Sequence, residues 1–500
     1  MVNAQEDTDA FAAARGGFEE MLCWLEGTES AALSHAELED QVGRRGREVQ
    51  RLMLQDHLDL RCLREGRVRV VDADGIVHAN VEPDHRRCLS TVVGAVGVSR
   101  LAYRHGGASN LHPADGALNL PAELHSHGLR RLAAIESTRG SFDDAAAAIE
   151  RSTGVAVAKR QVESLTAAAA IDVKDFYAAK APEPDASSDV VVISVDGKGI
   201  VMRPDALREA TAKAACRATR KLETRLSKGE KRYRKRMAEV GAVYDLEPVP
   251  RAADDVLASK HDDGASPPRA PKATGKWVTA SVADDAAEVV TRVFHEADRR
   301  DPSHQRTWVA LVDSNNHQID RINAEAENRK LTVTVLVDLI HVMEYIWSAA
   351  WCFFDQGDQA AENWVRAKTL AVLEGNARDV AAGIRRRAST AHLAKAKRNN
   401  ADTCATYLTN KAPYLDYPTA LAAGWPVATG IIEGTCRYLV ADRMDITGAR
   451  WSVAGAEAVL KLRAVRANGD FNEYWTFHLD RERQRVHQPR YTNGIIPLAA

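Results

Sequence analysis

Three apolar runs of this sequence each end in an aspartate: Val190 to Val195 lead into Asp196, Trp308 to Val312 into Asp313, and Leu331 to Val337 into Asp338. A fourth acid, Glu433, follows the glycine- and proline-bearing stretch GWPVATGII, where a helical pattern begins. Short valine-rich runs suit strands buried on both faces. The carboxyl ends of neighbouring strands gather at one sheet edge, where ligands bind. Carboxylates collected there repel one another unless cations compensate them, and an all-oxygen set suits Mg²⁺ or Mn²⁺ and not zinc. Two such ions, ~3.5–4 Å apart, activate a water or a 3′-hydroxyl and stabilise the leaving oxygen, which is the chemistry of phosphoryl transfer. Each acid also has a structural reading. Asp196-Gly197 reads as a hairpin turn, Asp313 and Asp338 as helix N-caps, and Glu433 as a first-turn carboxylate facing the helix dipole.

The elements that must position these acids alternate in type. After a polar, proline-bearing linker over 180–189, a strand leads to Asp196 and a basic helical segment runs to about Arg236. A strand near 242–246 follows, then a linker over 248–276, the strand KWVTASV and a helix over 284–298. The strands before Asp313 and Asp338 flank a helix near 315–329. Strand and helix in alternation predict an α/β class, mixed with α+β overall. Residues 341–420 then read as helix, and a final helix runs from Ser452 to about Asn468 with Gly469 as its stop. Ahead of all this, the first ~60 residues are helical by periodicity, with strand-like stretches at 67–73 and 90–104. SFDDAAAAIERSTGVAVAKRQVESL reads as two helices around Gly154, the outline of a helix-turn-helix whose second helix carries Lys159 and Arg160.

Composition narrows the class. The chain has 500 residues, 45% hydrophobic and 27% charged, with a net charge of −2. No apolar run approaches the ~18 residues of a membrane span, and MVNAQEDTDAF has neither part of a signal peptide, so a cytoplasmic protein is expected. Its seven scattered cysteines contain no CxxC pair, against both a disulfide framework and a zinc ribbon. Positive charge is local. Thirteen Lys/Arg face four Asp/Glu between Arg203 and Arg236, including Arg220, Lys221, Arg232, Arg234 and Lys235. A second run holds Arg385, Arg386 and Arg387. Such blocks neutralise phosphates, or else form a solvated helix face.

The ordered segments VVISVDGKG, TWVALVDSNNHQID, VLVDLIHVMEYIW and GWPVATGIIEGTCRYLVADRMDITGARWS resemble the DDE transposases of bacterial insertion sequences, of the ISKra type. STVVGAVGVSRLAYR, LNLPAELHSHGLRRLAA and TGVAVAKRQVESL extend the resemblance over most of residues 85–490. It implies a ribonuclease-H-like mixed-sheet core with a helical insertion, preceded by a largely helical DNA-binding region. The expected boundaries are 1–120, a helical and small β region; 121–180, the helix-turn-helix; 185–345, the core's first part; 346–420, the insertion; and 421–500, the core's last part with C-terminal helices. The catalytic and metal-holding triad it implies is Asp196, Asp313 and Glu433, with two Mg²⁺ or Mn²⁺ ions. Asp338 and His341 resemble a supporting "C/D, two residues, H" element; Asp338 as the second metal ligand is the alternative.

The implied partners are double-stranded element ends and target DNA, met by a homodimer or higher oligomer. Trp425, Arg443, Arg450 and Trp451, flanking Glu433, are candidates for distorted DNA by stacking or charge, with core packing as the other reading of the tryptophans. Relatives carry cysteines where this chain has YRHGGASNLHP, so a zinc module is not expected; Cys62, Cys88, His78 and His85 are its conceivable remnants. Two other classes are consistent with these residues: a DNA-binding protein that has lost catalysis, and a ribonuclease-H-like nuclease of repair or RNA.

Overall fold

The computed structural model describes residues 10–182, 189–218, 222, 224–227, 233–258, 270–446 and 448–498. It divides into two compact units, Met1–Ala179 with Gly469–Ala500, and Lys180–Asn468.

In the first unit, the helices Ala12–Glu26 and His35–Leu63 follow the expected periodicity. The longer one starts at a capping box, in which the Glu37 carboxylate accepts the Ser34 N–H at 2.8 Å and Ser34 Oγ accepts the Glu37 N–H. Four short strands follow: β1 (Asn80–Glu82) pairs antiparallel with β4 (Ala102–Arg104), and β2 (Arg87–Thr91) with β3 (Gly94–Val98). Gly94 turns the β2–β3 hairpin at φ +128°, a conformation side chains rarely adopt. The stretch 67–73, expected as a strand, makes only isolated bridges such as Val71 with Val77. Asp72 is the reason: its Oδ1 accepts the N–H groups of Asp74 and Ile76, closing a turn in place of a ladder.

The helices His127–Ser137, Phe142–Thr153 and Lys159–Ala169 pack around Leu129, Ala133, Ala145, Ile149, Val157, Val162 and Leu165. Gly154, at φ +73°, ends the middle helix in the left-handed conformation, so the helix–turn–helix outline is present. Ser141 opens that helix with a second capping box, its Oγ accepting the Asp144 N–H at 3.0 Å. Ser141→Ala is expected to cost about 1 kcal/mol of stability, read as a lower urea midpoint with unchanged slope.

The helix Val453–Ala467 stops at Gly469 as expected, but it is not the last: Phe471–Val486 follows, and it belongs to the first unit. The stretch 421–500 therefore divides at residue 469. Buried polar contacts hold the added helix there: Tyr474 Oη donates to the Ala169 carbonyl, and Asp172 accepts from His478 and Arg485.

The second unit is built on a five-stranded mixed sheet, ordered β7-β6-β5-β8-β9. β5 is Val190–Val201, β6 Lys235–Leu246, β7 Ala273–Ser281, β8 Trp308–Val312 and β9 Val333–Val337. β6 runs antiparallel to β5 and β7, while β8 and β9 run parallel to β5. Every residue of β8 is buried, as are the first six of β5, which is why these runs carry no polar alternation. The helices Ala286–Arg300 and Asn316–Arg329 join β7, β8 and β9, as the alternating pattern predicts. The basic stretch is not one helix: Glu209–Arg217 is helical, whereas Lys235 and Arg236 begin β6. Between β9 and Glu433 lie the helices Leu339–Ala350, Gln359–Leu373, Ala377–Thr390, Lys395–Lys411 and Tyr417–Ala422, sharing one core with β8 and β9. Among the described residues, no helix is long and apolar enough to cross a membrane.

Candidate functional site

Strand register lines up the three aspartates. β5 pairs with β8 so that Val191 lies beside Trp308 and Ile193 beside Ala310; the same register, carried three residues further, sets Asp196 level with Asp313. β8 pairs with β9 through Val312 and Val337, and the next residues are Asp313 and Asp338. The three acids thus occupy one row across three adjacent parallel strands, just past the ends of β8 and β9 and within the longer β5, at a spacing of about 4.8 Å per strand.

Asp196 is not in a hairpin turn, because β5 continues unbroken to Val201. Its Oδ1 accepts the Gly197 N–H and its Oδ2 the Cys436 thiol, at 3.2 Å. Burial pushes the Asp196 carboxyl above the usual carboxylate range; the Gly197 and Cys436 hydrogen bonds oppose this, and the charge of Asp313 adds to it. Asp313 is not an N-cap: that position belongs to Asn315, whose N–H in turn donates to Asp313 Oδ1 at 3.0 Å. Ser314 between them sits at φ +82°, a strained conformation at the strand's end.

Asp338 does cap a helix. Fully buried, it accepts the Ile340 N–H at 2.8 Å through Oδ1 and the Thr429 hydroxyl through Oδ2. Thr429 is itself the residue before the helix Gly430–Thr435, which carries Glu433, and the Leu339 N–H donates to the Val427 carbonyl at 2.9 Å. The start of Glu433's helix is therefore tied to the residues that follow β9. One turn on, Cys436 reaches back to Asp196, so this helix crosses the acid row from Asp338 toward β5. Ligand atoms of Asp338, His341 and Glu433 lie within 4.8 Å of one another. Among the described residues this is the group of three that closes so tightly; Asp196, Asp313 and Glu433 do not.

His341 follows Asp338 by three residues and shares its helix face. Its Nδ1 meets Glu344 Oε2 at 3.1 Å. Burial works against the imidazolium, but the Glu344 hydrogen bond and the charges of Asp338, Glu344 and Asp313 outweigh it and raise the pKa. After Cys436 the helix widens into a π-helical segment, Cys436–Ala441, a form concentrated at functional sites. The Arg463 guanidinium donates to the Tyr438 and Leu439 carbonyls of this segment.

Sequence reading missed several neighbours. Cys436 stands three residues after Glu433, a spacing that places both on one face, and this was its only signal. Glu239 lies opposite Gly197 on β6; burial, with Asp196 nearby, raises its carboxyl. Buried Lys411 bonds Asn316 Oδ1 and faces the charge of Asp313 from the helical insertion. Neither has a local pattern.

The DNA-contact candidates separate by exposure. Trp451 is 5% exposed with its indole N–H on the Met444 carbonyl, and Arg443, 2% exposed, stacks on it at 4.7 Å. Both are core residues, which corrects their assignment to DNA. Trp425 is partly buried against the helical core. Arg387 is also committed, lying 4.5 Å from the Phe354 ring and 4.7 Å from Phe353. Arg385 and Arg386 are exposed, as are Lys235 and Arg450; Arg450 stacks on Tyr233 at 4.5 Å, and Arg234 is partly buried. On the helix Lys159–Ala169, Arg160 is exposed, while Lys159 pairs with Asp143 at 2.5 Å. Arg220, Lys221 and Arg232 lie outside the described residues.

The zinc-remnant residues do not assemble. His78 is spent on the Tyr103 carbonyl and Asp72, His85 stacks on His112 at 4.8 Å, and Cys62 and Cys88 are free thiols. Compared with family models and with curated proteins, the sequence matches none of them.

Proposed function

We propose that the protein is a DDE transposase of the ISKra type, which hydrolyses phosphodiesters at insertion-sequence ends and transfers the 3′-OH strand into target DNA. The observation that carries this is the row of Asp196, Asp313 and Asp338 across three adjacent parallel strands, crossed by the helix of Glu433. The strand order, with β6 antiparallel beside β5, an acid within the unit's first strand and another just after its fourth, supports a ribonuclease-H-like core. A helical insertion before Glu433 and a helix-turn-helix in the other unit support it further.

The residues fit Mg²⁺ or Mn²⁺ in their donor chemistry. Asp196 and Asp313 offer only oxygen, and Asp196 is a carboxylate penalised by burial and by Asp313, which a cation between them would relieve. When bound, a pair of divalent ions supplies an acidified nucleophile and a stabilised leaving oxygen. The chain's own residues hold the geometry. Cys436 orients Asp196 by donating to Oδ2, and the Asn315 N–H fixes Asp313. Lys411, near Asp313, adds positive charge toward a phosphate.

Purified protein should nick and join element-end DNA with Mg²⁺ or Mn²⁺; no cleavage of any double-stranded substrate with either ion rejects the proposal. Two element ends must meet, so a homodimer or larger assembly on DNA is part of it. Arg160→Ala is expected to weaken DNA binding and reduce the slope of log affinity against log salt by about 1, measured by fluorescence anisotropy. An unchanged slope removes Arg160 from the interface.

A further inference from the structure

The group closest to ligation geometry in this site is of mixed chemistry. Asp338, His341 and Glu433 bring one carboxylate oxygen, one imidazole nitrogen and a second carboxylate oxygen within 4.8 Å of one another. Two features prepare it for a cation. Asp338 is immobilised, since Oδ1 and Oδ2 each accept one hydrogen bond, from Ile340 N–H and the Thr429 hydroxyl, leaving a further lone pair on each oxygen. His341 is oriented by Glu344 Oε2 at Nδ1, 3.1 Å away; in the neutral tautomer whose Nδ1–H donates to this carboxylate, the lone pair is on Nε2. A carboxylate on the far nitrogen is the arrangement that sets the tautomer and basicity of metal-bound histidines. Glu433 is exposed and Asp338 buried, which opens the site to solvent on one side and closes it on the other.

We propose that Asp338, His341 and Glu433 form a binding site for a first-row transition-metal divalent ion, with His341 Nε2 as a direct ligand and Glu344 as its positioning residue. Imidazole nitrogen favours such ions over Mg²⁺, which takes oxygen ligands and keeps its waters. The site is distinct in chemistry from the all-oxygen pair Asp196 and Asp313, and it stands whether or not the chain is a transposase.

The test uses the full chain loaded with Mn²⁺ and pulsed electron paramagnetic resonance, which detects the ¹⁴N coupling of a coordinated imidazole. Wild type should show this coupling, Asp196→Asn should keep it, and His341→Gln should lose it. His341→Gln leaves the Asp338 cap intact, and far-UV circular dichroism checks its fold. Glu344→Gln should keep the coupling but weaken Mn²⁺ binding by on the order of tenfold. Absence of ¹⁴N coupling in the wild type, its survival in His341→Gln, or its loss in Asp196→Asn overturns the proposal. Because the readout is ligation and not DNA joining, failure of this site and failure of the transposase reading are seen separately.

Discussion

An Asp196→Asn variant is expected to lose metal-dependent nicking and joining of DNA by on the order of 10³-fold or more while keeping, or slightly raising, its thermal stability in divalent-free buffer. Losing a charge that organises ions around a phosphate removes several kcal/mol of transition-state stabilisation, and each ~1.4 kcal/mol is a factor of ten. The fold should not suffer. Asp196 is a carboxylate that burial and Asp313 push toward its neutral form, so in the bare protein its charge is a cost. The side-chain amide keeps the size, its oxygen accepts the Gly197 N–H, and its NH₂, in the place of Oδ2, can donate to the Cys436 sulfur. Activity assays beside melting curves separate the outcomes. A variant that still transfers strands sinks Asp196 as a catalytic residue; one that melts far below wild type assigns it a structural role. Adding Mn²⁺ should raise the melting temperature of the wild type more than that of the variant, because a ligand held by the native state alone stabilises it by mass action.

Asp172→Ala should be the most destabilising of the substitutions considered, at about 2–3 kcal/mol, because it leaves the wholly buried His478 Nδ1 without its partner and the more exposed Arg485 without its carboxylate. Asp172 is 2% exposed and accepts from His478 Nδ1 at 2.7 Å and from Arg485 at 2.9 and 3.0 Å. Glu482 extends the network to Arg130, which is wholly buried and also pairs with Glu123. Burial alone would raise the Asp172 carboxyl, but the hydrogen bonds from His478 and Arg485, with their charges, outweigh it and hold the pKa at about 2. The native state therefore binds this proton more weakly than the unfolded chain. Its stabilisation is complete above pH ~4, the ordinary carboxylate range, and is lost as pH falls through about 2. Denaturation of wild type and Asp172→Ala at pH 6, 3 and 2 should show curves that converge only at the acid end. A gap that stays constant to pH 2 rejects the ion-pair account.

The strands before Asp196, Asp313 and Asp338 could be read directly, since a short valine-rich run bounded by polar residues has few alternatives to a buried strand. The helix ends at Ser141, Gly154 and Gly469 were equally local, because a cap satisfies backbone groups of its own turn. The helix Phe471–Val486 carries no clear apolar stripe, since its second half is dominated by charge; what fixes its buried face is Asp172, some 300 positions earlier in the chain.

The sequence by itself determined that acids follow the apolar runs of the central strands and that one more follows a helical insertion. Only the tertiary structure decided how they group. Register across β5, β8 and β9 put the three aspartates in one row, and the Thr429 hydroxyl on Asp338 set Glu433 beside Asp338 and His341. It likewise turned Trp451 and Arg443 inward, and brought Cys436 to Asp196. Strand and cap signals are carried by bonds among near neighbours. Which carboxylates share a cation depends on pairing register and on one hydrogen bond between residues 91 positions apart, and neither leaves a mark in local composition.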